Sequence, residues 1–246
     1  MSTLSSSVQE YLEALYWLAE AGIERTPSNL SRAMQVSPPS VTEMVRRMET
    51  DGLVLRGRDK KIALTDEGER IARHVVSRHR LVEAFLVKVM GIPWDEVHEE
   101  AETFEMGVTE QLEARMLSMI GDAKTCPHGH PIGDFPREPG VPLTGVGAGS
   151  LVRVLRFENE DHELLRTFMR EGVEPRGRYR IERHDPDETV LIALDGRSGA
   201  EPARLPRHAA RTISVAVEQA GDGAPGEQDP DSLATAYLLG ESHWSR

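Results

Sequence analysis

His79 and Glu83 stand four residues apart, and His98, Glu102, Glu105 and Met106 occupy offsets 0, 4, 7 and 8 of a second series. On α-helices each series projects from one face. Two facing helices that each offer imidazole and carboxylate have the donors of a divalent-metal site. The plainer reading is an exposed His-Glu pair and a solvated acidic face, because Glu99 and Glu100 lie beside Glu102. There is no His-Glu-x-x-His string and no nucleotide-binding glycine loop, so these residues call for no enzyme.

The elements that must position them can be read from periodicity. Ile71, Val75, Leu81, Val82, Phe85, Leu86 and Val89 predict a helix from Asp66 to about Met90, with Thr65 as N-cap. Gly91-Ile92-Pro93 breaks it. A second helical stretch begins at Asp95, and Phe104, Val108, Leu112, Met116 and Leu117 carry its apolar stripe towards Ile120. That surface exceeds what one small domain needs and implies a two-fold homodimer.

Upstream, Val8 to Ala21 is a periodic helix, and Thr26-Pro27 and Ser37-Pro38 each read as N-cap plus first helical position. The short turn at Gln35-Val36 makes these a helix-turn-helix whose second helix, the reader, runs to about Asp51. Leu53 to Arg56 and Ile62 to Leu64 are short strands around a charged tip, which makes a wing. The expected DNA-facing residues at the helix starts are Thr26, Pro27, Ser37, Pro38 and Pro39. Ser40, Thr42, Glu43, Arg46 and Arg47 follow on the reader helix, and Arg58, Lys60 and Lys61 on the wing. Winged helices also serve protein contacts, so the rival reading is a dimeric metal-binding or protein-interaction module that no longer reads DNA.

Formal net charge is -12 over 246 residues, which on average speaks against nucleic acid. Between Arg25 and Lys61, however, Arg25, Arg32, Arg46, Arg47, Arg56, Arg58, Lys60 and Lys61 outnumber Glu43, Glu49, Asp51 and Asp59. One local basic face on an acidic protein is compatible with DNA binding. The sequence shows neither a membrane-length apolar run nor a signal-peptide pattern. The single cysteine, Cys126, fits a reducing compartment, and a cytoplasmic location is expected.

Several strings then occur in a telling order: Tyr11-Leu12, Ser40-Val41-Thr42, Met48-Glu49-Thr50-Asp51-Gly52-Leu53-Val54, Leu64-Thr65-Asp66-Glu67-Gly68, Arg78-His79-Arg80-Leu81, Val97-His98-Glu99-Glu100-Ala101-Glu102 and Pro127-His128-Gly129-His130-Pro131-Ile132. On these the chain resembles the diphtheria toxin repressor and iron-dependent regulator family, which includes a manganese transport regulator branch. The resemblance implies a metal-activated dimeric repressor of palindromic operator DNA, with one or two dimers per operator, controlling metal-uptake genes. It implies an ancillary metal position at His79, Glu83 and His98, with third-domain ligands somewhere in Glu158 to Leu164, where Glu160 or Glu163 makes the better chemistry. It implies a primary position at Glu10, Glu102, Glu105 and Met106, with Glu13 one turn on from Glu10.

Carboxylates at Glu10 and Glu102, where the iron branch has methionine and cysteine, match the manganese branch, and hard oxygen donors suit Mn(II). Mn(II) is the expected cofactor, Fe(II) the alternative, and Co(II) or Zn(II) substitutes in vitro. Met106 departs from the histidine usual in both branches. A thioether is a poor Mn(II) ligand, so Met106 leaves its position to water, turns away or marks a different ion. Converging acids would hold the first helix off the helix pair, and a divalent ion would draw Glu10 towards Glu102 and Glu105.

Cys126, His128 and His130 are donor types, but the string lacks an evident fourth ligand and its prolines and glycine read as a structural loop. The expected architecture is mainly α: a winged helix-turn-helix over 1–73 and a helical metal-binding and dimerisation domain over 74–140. A linker at 141–150, a small SH3-like β-barrel domain over 151–220 and a flexible tail over 221–246 complete it.

Overall fold

Among the described residues, side-chain caps begin four helices of the first half. Thr26 Oγ1 accepts from Asn29 N at 3.2 Å, Ser37 Oγ from Ser40 N at 3.4 Å, Thr65 Oγ1 from Gly68 N at 3.0 Å and Thr109 Oγ1 from Leu112 N at 3.4 Å. Each satisfies an amide that the helix itself leaves open. The computed structural model describes residues 4–57, 59–105, 107–194 and 201–223. Arg58, Met106 and the proposed tail from 224 onward lie outside the described residues.

Helices α1 (Ser6–Glu20), α2 (Pro27–Ala33) and α3 (Pro38–Thr50) and the hairpin β1 (Val54–Arg56) and β2 (Ile62–Leu64) share one core, which includes Leu12, Leu15, Leu18, Leu30, Val41, Val45, Met48 and Val54. Val41, Val45 and Met48 turn inward on α3, which leaves Ser40, Thr42, Glu43, Arg46 and Arg47 exposed. The hairpin pairs Val54 with Leu64 and Arg56 with Ile62. Helix α4 (Asp66–Phe85) starts directly under it: a Cβ at Gly68 would stand 2.0 Å from the Leu53 carbonyl oxygen, so only glycine allows this approach.

Helix α4 runs on into a single π turn, Leu86–Met90, and Gly91 ends it with φ +75°. Helix α5 (Val97–Glu105) and helix α6 (Glu110–Ile120) replace the single helical stretch that the stripe suggested, because Thr109 caps a new start. Leu81, Val82, Val97, Ala101, Met116 and Ile120 form their core. Leu112, Leu117 and Met119 of α6, with Val89, Met90 and Phe104, stay exposed.

The C-terminal part corrects the expectation of an SH3-like barrel. Among the described residues it is an open antiparallel sheet of six strands: β3 (Val141–Pro142), β4 (Leu151–Phe157), β5 (Arg178–His184), β6 (Glu188–Ala193), β7 (Ala203–Pro206) and β8 (Ile213–Gln219). Their order is β3-β8-β4-β5-β6-β7, so β3 and β7 are the edges. Closure would need these two to pair. Edge β3 has two residues, one of them a proline without an N–H, and β7 also ends in proline. Helices α7 (His162–Arg170) and α8 (Arg207–Ala210) supply Leu165, Phe168, Ala209 and Ala210 to its core instead. The 141–150 stretch, read above as a linker, contributes β3 and buries Leu143 and Val146 in that core.

Candidate metal centre

Donors from several parts of the chain meet in one buried cluster. Helix α4 provides His79 and Glu83, α5 provides His98, the loop after α6 provides Cys126 and His128, and the β4–α7 loop provides Glu160. Glu83 Oε1 lies 3.2 Å from His79 Nε2, 3.0 Å from His98 Nδ1 and 3.3 Å from His128 Nδ1. Glu160 Oε2 lies 3.1 Å from His98 Nδ1 and 3.4 Å from His128 Nδ1. Two donor sets follow, His79-Glu83-His98-Glu160 and Glu83-Cys126-His128-Glu160, each with its ligand atoms within 4.8 Å of one another. Imidazole, carboxylate and thiol at this spacing fit a divalent transition-metal ion.

Local chemistry explains how each donor is aimed. His128 Nε2 donates to the Trp94 carbonyl at 2.8 Å, which leaves Nδ1 for the cluster. The Cys126–His130 turn is closed by Cys126 N donating to His130 O at 2.8 Å, and Gly129 at φ +96° lets it sit against β4, where a Cβ would meet the Leu155 carbonyl at 1.9 Å. In the 158–163 stretch, Asp161 caps α7 by accepting from Glu163 N and Leu164 N, and Glu163 is exposed. Glu158 is bound by Arg137, Arg156 and Ser214. Glu160 alone of these acids enters the cluster.

A second group of acids adjoins the first through His79, whose Nδ1 is 3.3 Å from Glu105 Oε2. His98 Nε2 is 3.7 Å from Glu102 Oε1. Of the two α1 acids, Glu13 is buried and lies in the field of Glu105, His79, His98 and Glu102, whereas Glu10 is half-buried one turn back. Trp17, on the same helix, sets its ring 5.7 Å from His79 and 6.0 Å from His98 between centroids.

Electrostatics reflect this crowding. Burial and then the Glu105 carboxylate push Glu13 up to about 8. Burial would lift Glu83, but His128 and His79 outweigh it and hold the carboxyl well below its usual range. Burial would depress His98, yet Glu160 and Glu83 raise it to about 9. Burial and then Glu83 push the Cys126 thiol up to about 12. The cluster therefore carries protons that an ion would displace.

One donor pair read from the sequence as part of a structural loop lies in the cluster, and one buried ion pair gave no sequence signal. The Cys126–His128 pair carried its own signal, donor residues two apart, but its partners Glu83 and Glu160 are distant in sequence. Arg80, buried on α4, pairs with Glu20 of α1 and donates to Pro131 O at 3.2 Å, tying the first helix to the donor loop. A charged residue on an otherwise periodic helix gave no sign of that.

At the other end of the first domain, Thr26 and Ser37 act as caps beside Pro27, Pro38 and Pro39. Thr42 Oγ1 donates to Pro38 O at 2.9 Å, Arg46 pairs with Glu43 at 3.2 Å, and Arg47 is exposed. Lys60 turns the wing tip at φ +65° and Lys61 pairs with Glu24 at 2.6 Å.

Residues 3–61 match the family described as iron dependent repressor, N-terminal DNA binding domain, and residues 65–134 the one described as iron dependent repressor, metal binding and dimerisation domain. The chain is similar to the iron-dependent repressor IdeR of Mycobacterium tuberculosis, 32% identical over 231 residues that cover 87% of this chain and 99% of the relative. It is 32% identical to the diphtheria toxin repressor of Corynebacterium diphtheriae over 60% of this chain and 62% of that protein. A solved manganese-dependent transcriptional repressor in complex with manganese superposes with a TM-score of 0.77, 32% identity and coverage of 85% and 99% of the two chains. The structure of T. acidophilum IdeR gives a TM-score of 0.71, 27% identity and coverage of 89% and 100%. This chain belongs to the iron-dependent repressor family, a family of metal-dependent DNA-binding transcriptional repressors and not of enzymes.

Proposed function

We propose that this protein is a repressor that binds operator DNA as a homodimer when Fe(II) fills its buried cluster. The observation that carries the reading is the convergence of His79, Glu83, His98, Cys126, His128 and Glu160 in one buried place. A cluster that includes a thiol and imidazoles ranks Fe(II) above Mn(II) in affinity, and relatives spanning nearly their whole length are named iron-dependent. The bound ion supplies positive charge that the acids otherwise obtain from protons. Glu13 and Trp17 bring that event to α1, whose Leu12, Leu15 and Leu18 pack in the same core as Val41 and Val45 of α3. Fixing α1 would fix the exposed face of α3, and the exposed apolar residues of α6 would pair two chains so that two reader helices meet successive major grooves.

A second reading has its own support. Glu13, Glu102 and Glu105 around His79 offer mostly oxygen, which suits Mn(II), and a 32%-identical solved structure is described as manganese-dependent. Anaerobic DNA-binding titrations at buffered free Fe(II) and Mn(II) separate the two. The Fe(II) reading requires half-maximal binding at a lower free concentration of Fe(II), and the reverse order establishes Mn(II) in its place.

A further inference from the structure

We propose that the buried cluster holds two divalent ions at once, as a dinuclear centre in which Glu83 and Glu160 are the shared carboxylates. This rests on the metal-binding part of the reading above and adds to it the number of ions and the bridging ligands. The donors fall into two sets of four, and the sets have Glu83 and Glu160 in common. One set adds His79 and His98, and the other adds Cys126 and His128. Donors bound to one ion at about 2.2 Å lie within about 4.5 Å of one another. Each set, with its atoms within 4.8 Å, is therefore the size of one ion's shell. The His98 and His128 rings stand 6.4 Å apart between centroids, against 4.9 Å for His79 and His98.

Two unsatisfied atoms point the same way. Glu83 Oε1 already faces three imidazole nitrogens, while Oε2 of the same fully buried carboxylate makes no hydrogen bond. A buried carboxylate oxygen with no partner is costly, and a second ion would satisfy it. Carboxylates that bridge in this way hold two ions about 3.5–4 Å apart. His128 Nδ1 is likewise buried and without a hydrogen bond, although it stands 3.3 and 3.4 Å from the two carboxylates. Its Nε2–H is committed to Trp94 O, so Nδ1 is the ring nitrogen that faces the cluster and would bind an ion in place of a proton. The closed Cys126–His130 turn holds Cys126 beside it. With both positions filled, Glu160 would join the C-terminal sheet unit to the α4–α5 pair through two ions.

The test uses the full chain, stripped of metal and loaded with Mn(II), with spin coupling read by electron paramagnetic resonance and ion content by elemental analysis after equilibrium dialysis. The expected result for the wild type is an exchange-coupled Mn(II) pair. Cys126→Ala should then lose the coupling and one ion per chain while keeping its circular dichroism. Co(II) loading of the wild type should add a thiolate charge-transfer band, which Cys126→Ala lacks. Uncoupled Mn(II) in the wild type overturns the proposal without recourse to any variant, and so does an ion count unchanged by Cys126→Ala. The repressor reading fails separately: a coupled pair in a protein whose DNA affinity ignores metal sinks that reading and leaves the dinuclear centre standing.

Discussion

Replacing Glu13 with glutamine should stabilise the metal-free protein while weakening its response to metal. Burial and then Glu105 raise this carboxyl from an ordinary 4.5 to about 8, so the folded chain keeps a proton that the unfolded chain releases. The stability linked to that proton is complete below pH 4.5, falls as pH rises and is lost by about pH 8. The slope is at most about 1.4 kcal/mol per pH unit, which accumulates to roughly 3 kcal/mol at pH 7 as an upper figure. Glutamine keeps the shape and stays neutral, so it removes the slope. Urea unfolding in chelator between pH 5 and 8 should show Glu13→Gln more stable by about 1–3 kcal/mol at pH 7, with the two proteins converging towards pH 5. Histidines outside the field of Glu13 contribute equally to both curves and cancel in the difference, whereas His79 and His98 do not. Added metal should reverse the order, because only the wild type offers a carboxylate at position 13 to the ion's field. Parallel pH curves for the two metal-free proteins would refute the reasoning.

Arg80→Met should lower stability by about 3–5 kcal/mol in urea, since Glu20 loses its buried partner; a loss below about 1 kcal/mol would show the pair to be dispensable. Glu160→Gln should weaken metal binding at least tenfold by calorimetry while leaving the sheet folded, and unchanged affinity would remove Glu160 from the donor set. Metal affinity should rise steadily from pH 6 to pH 8, because His98, raised to about 9, and Cys126, raised to about 12, must shed protons to bind. Calorimetry in two buffers of different ionisation enthalpy would count those protons, and a count near zero would contradict the electrostatics described here.

Much of the first half was legible because its signals are local. Thr26, Ser37 and Thr65 cap the helices that their neighbours announce, and the spacing of His79, Glu83 and His98 puts all three in the cluster. The break between α5 and α6 was hidden, because the apolar stripe runs straight across Thr109 and only the cap marks the new start. Cys126 and His128 were undervalued because their partners come from residues 83 and 160, and no sequence window contains all four. Among the acids of 158–163, spacing could not choose. The choice is made by competing bonds, with Asp161 taken by the α7 cap and Glu158 by Arg137, Arg156 and Ser214. Most strands of the C-terminal unit could be found from pattern, but whether a sheet closes depends on its edges, and β3 is too short to pair with β7.

The most direct test of the account is DNA binding by the full chain with and without metal, on genomic fragments selected by the metal-loaded protein. Fluorescence anisotropy with Fe(II), with Mn(II) and in chelator, alongside Glu83→Gln, would read it. The account predicts at least a hundredfold loss of affinity in chelator, about 3 kcal/mol, and a variant that stays in the weak state with either ion. Equal affinity in metal and chelator, or a Glu83→Gln variant that still responds fully, would contradict it.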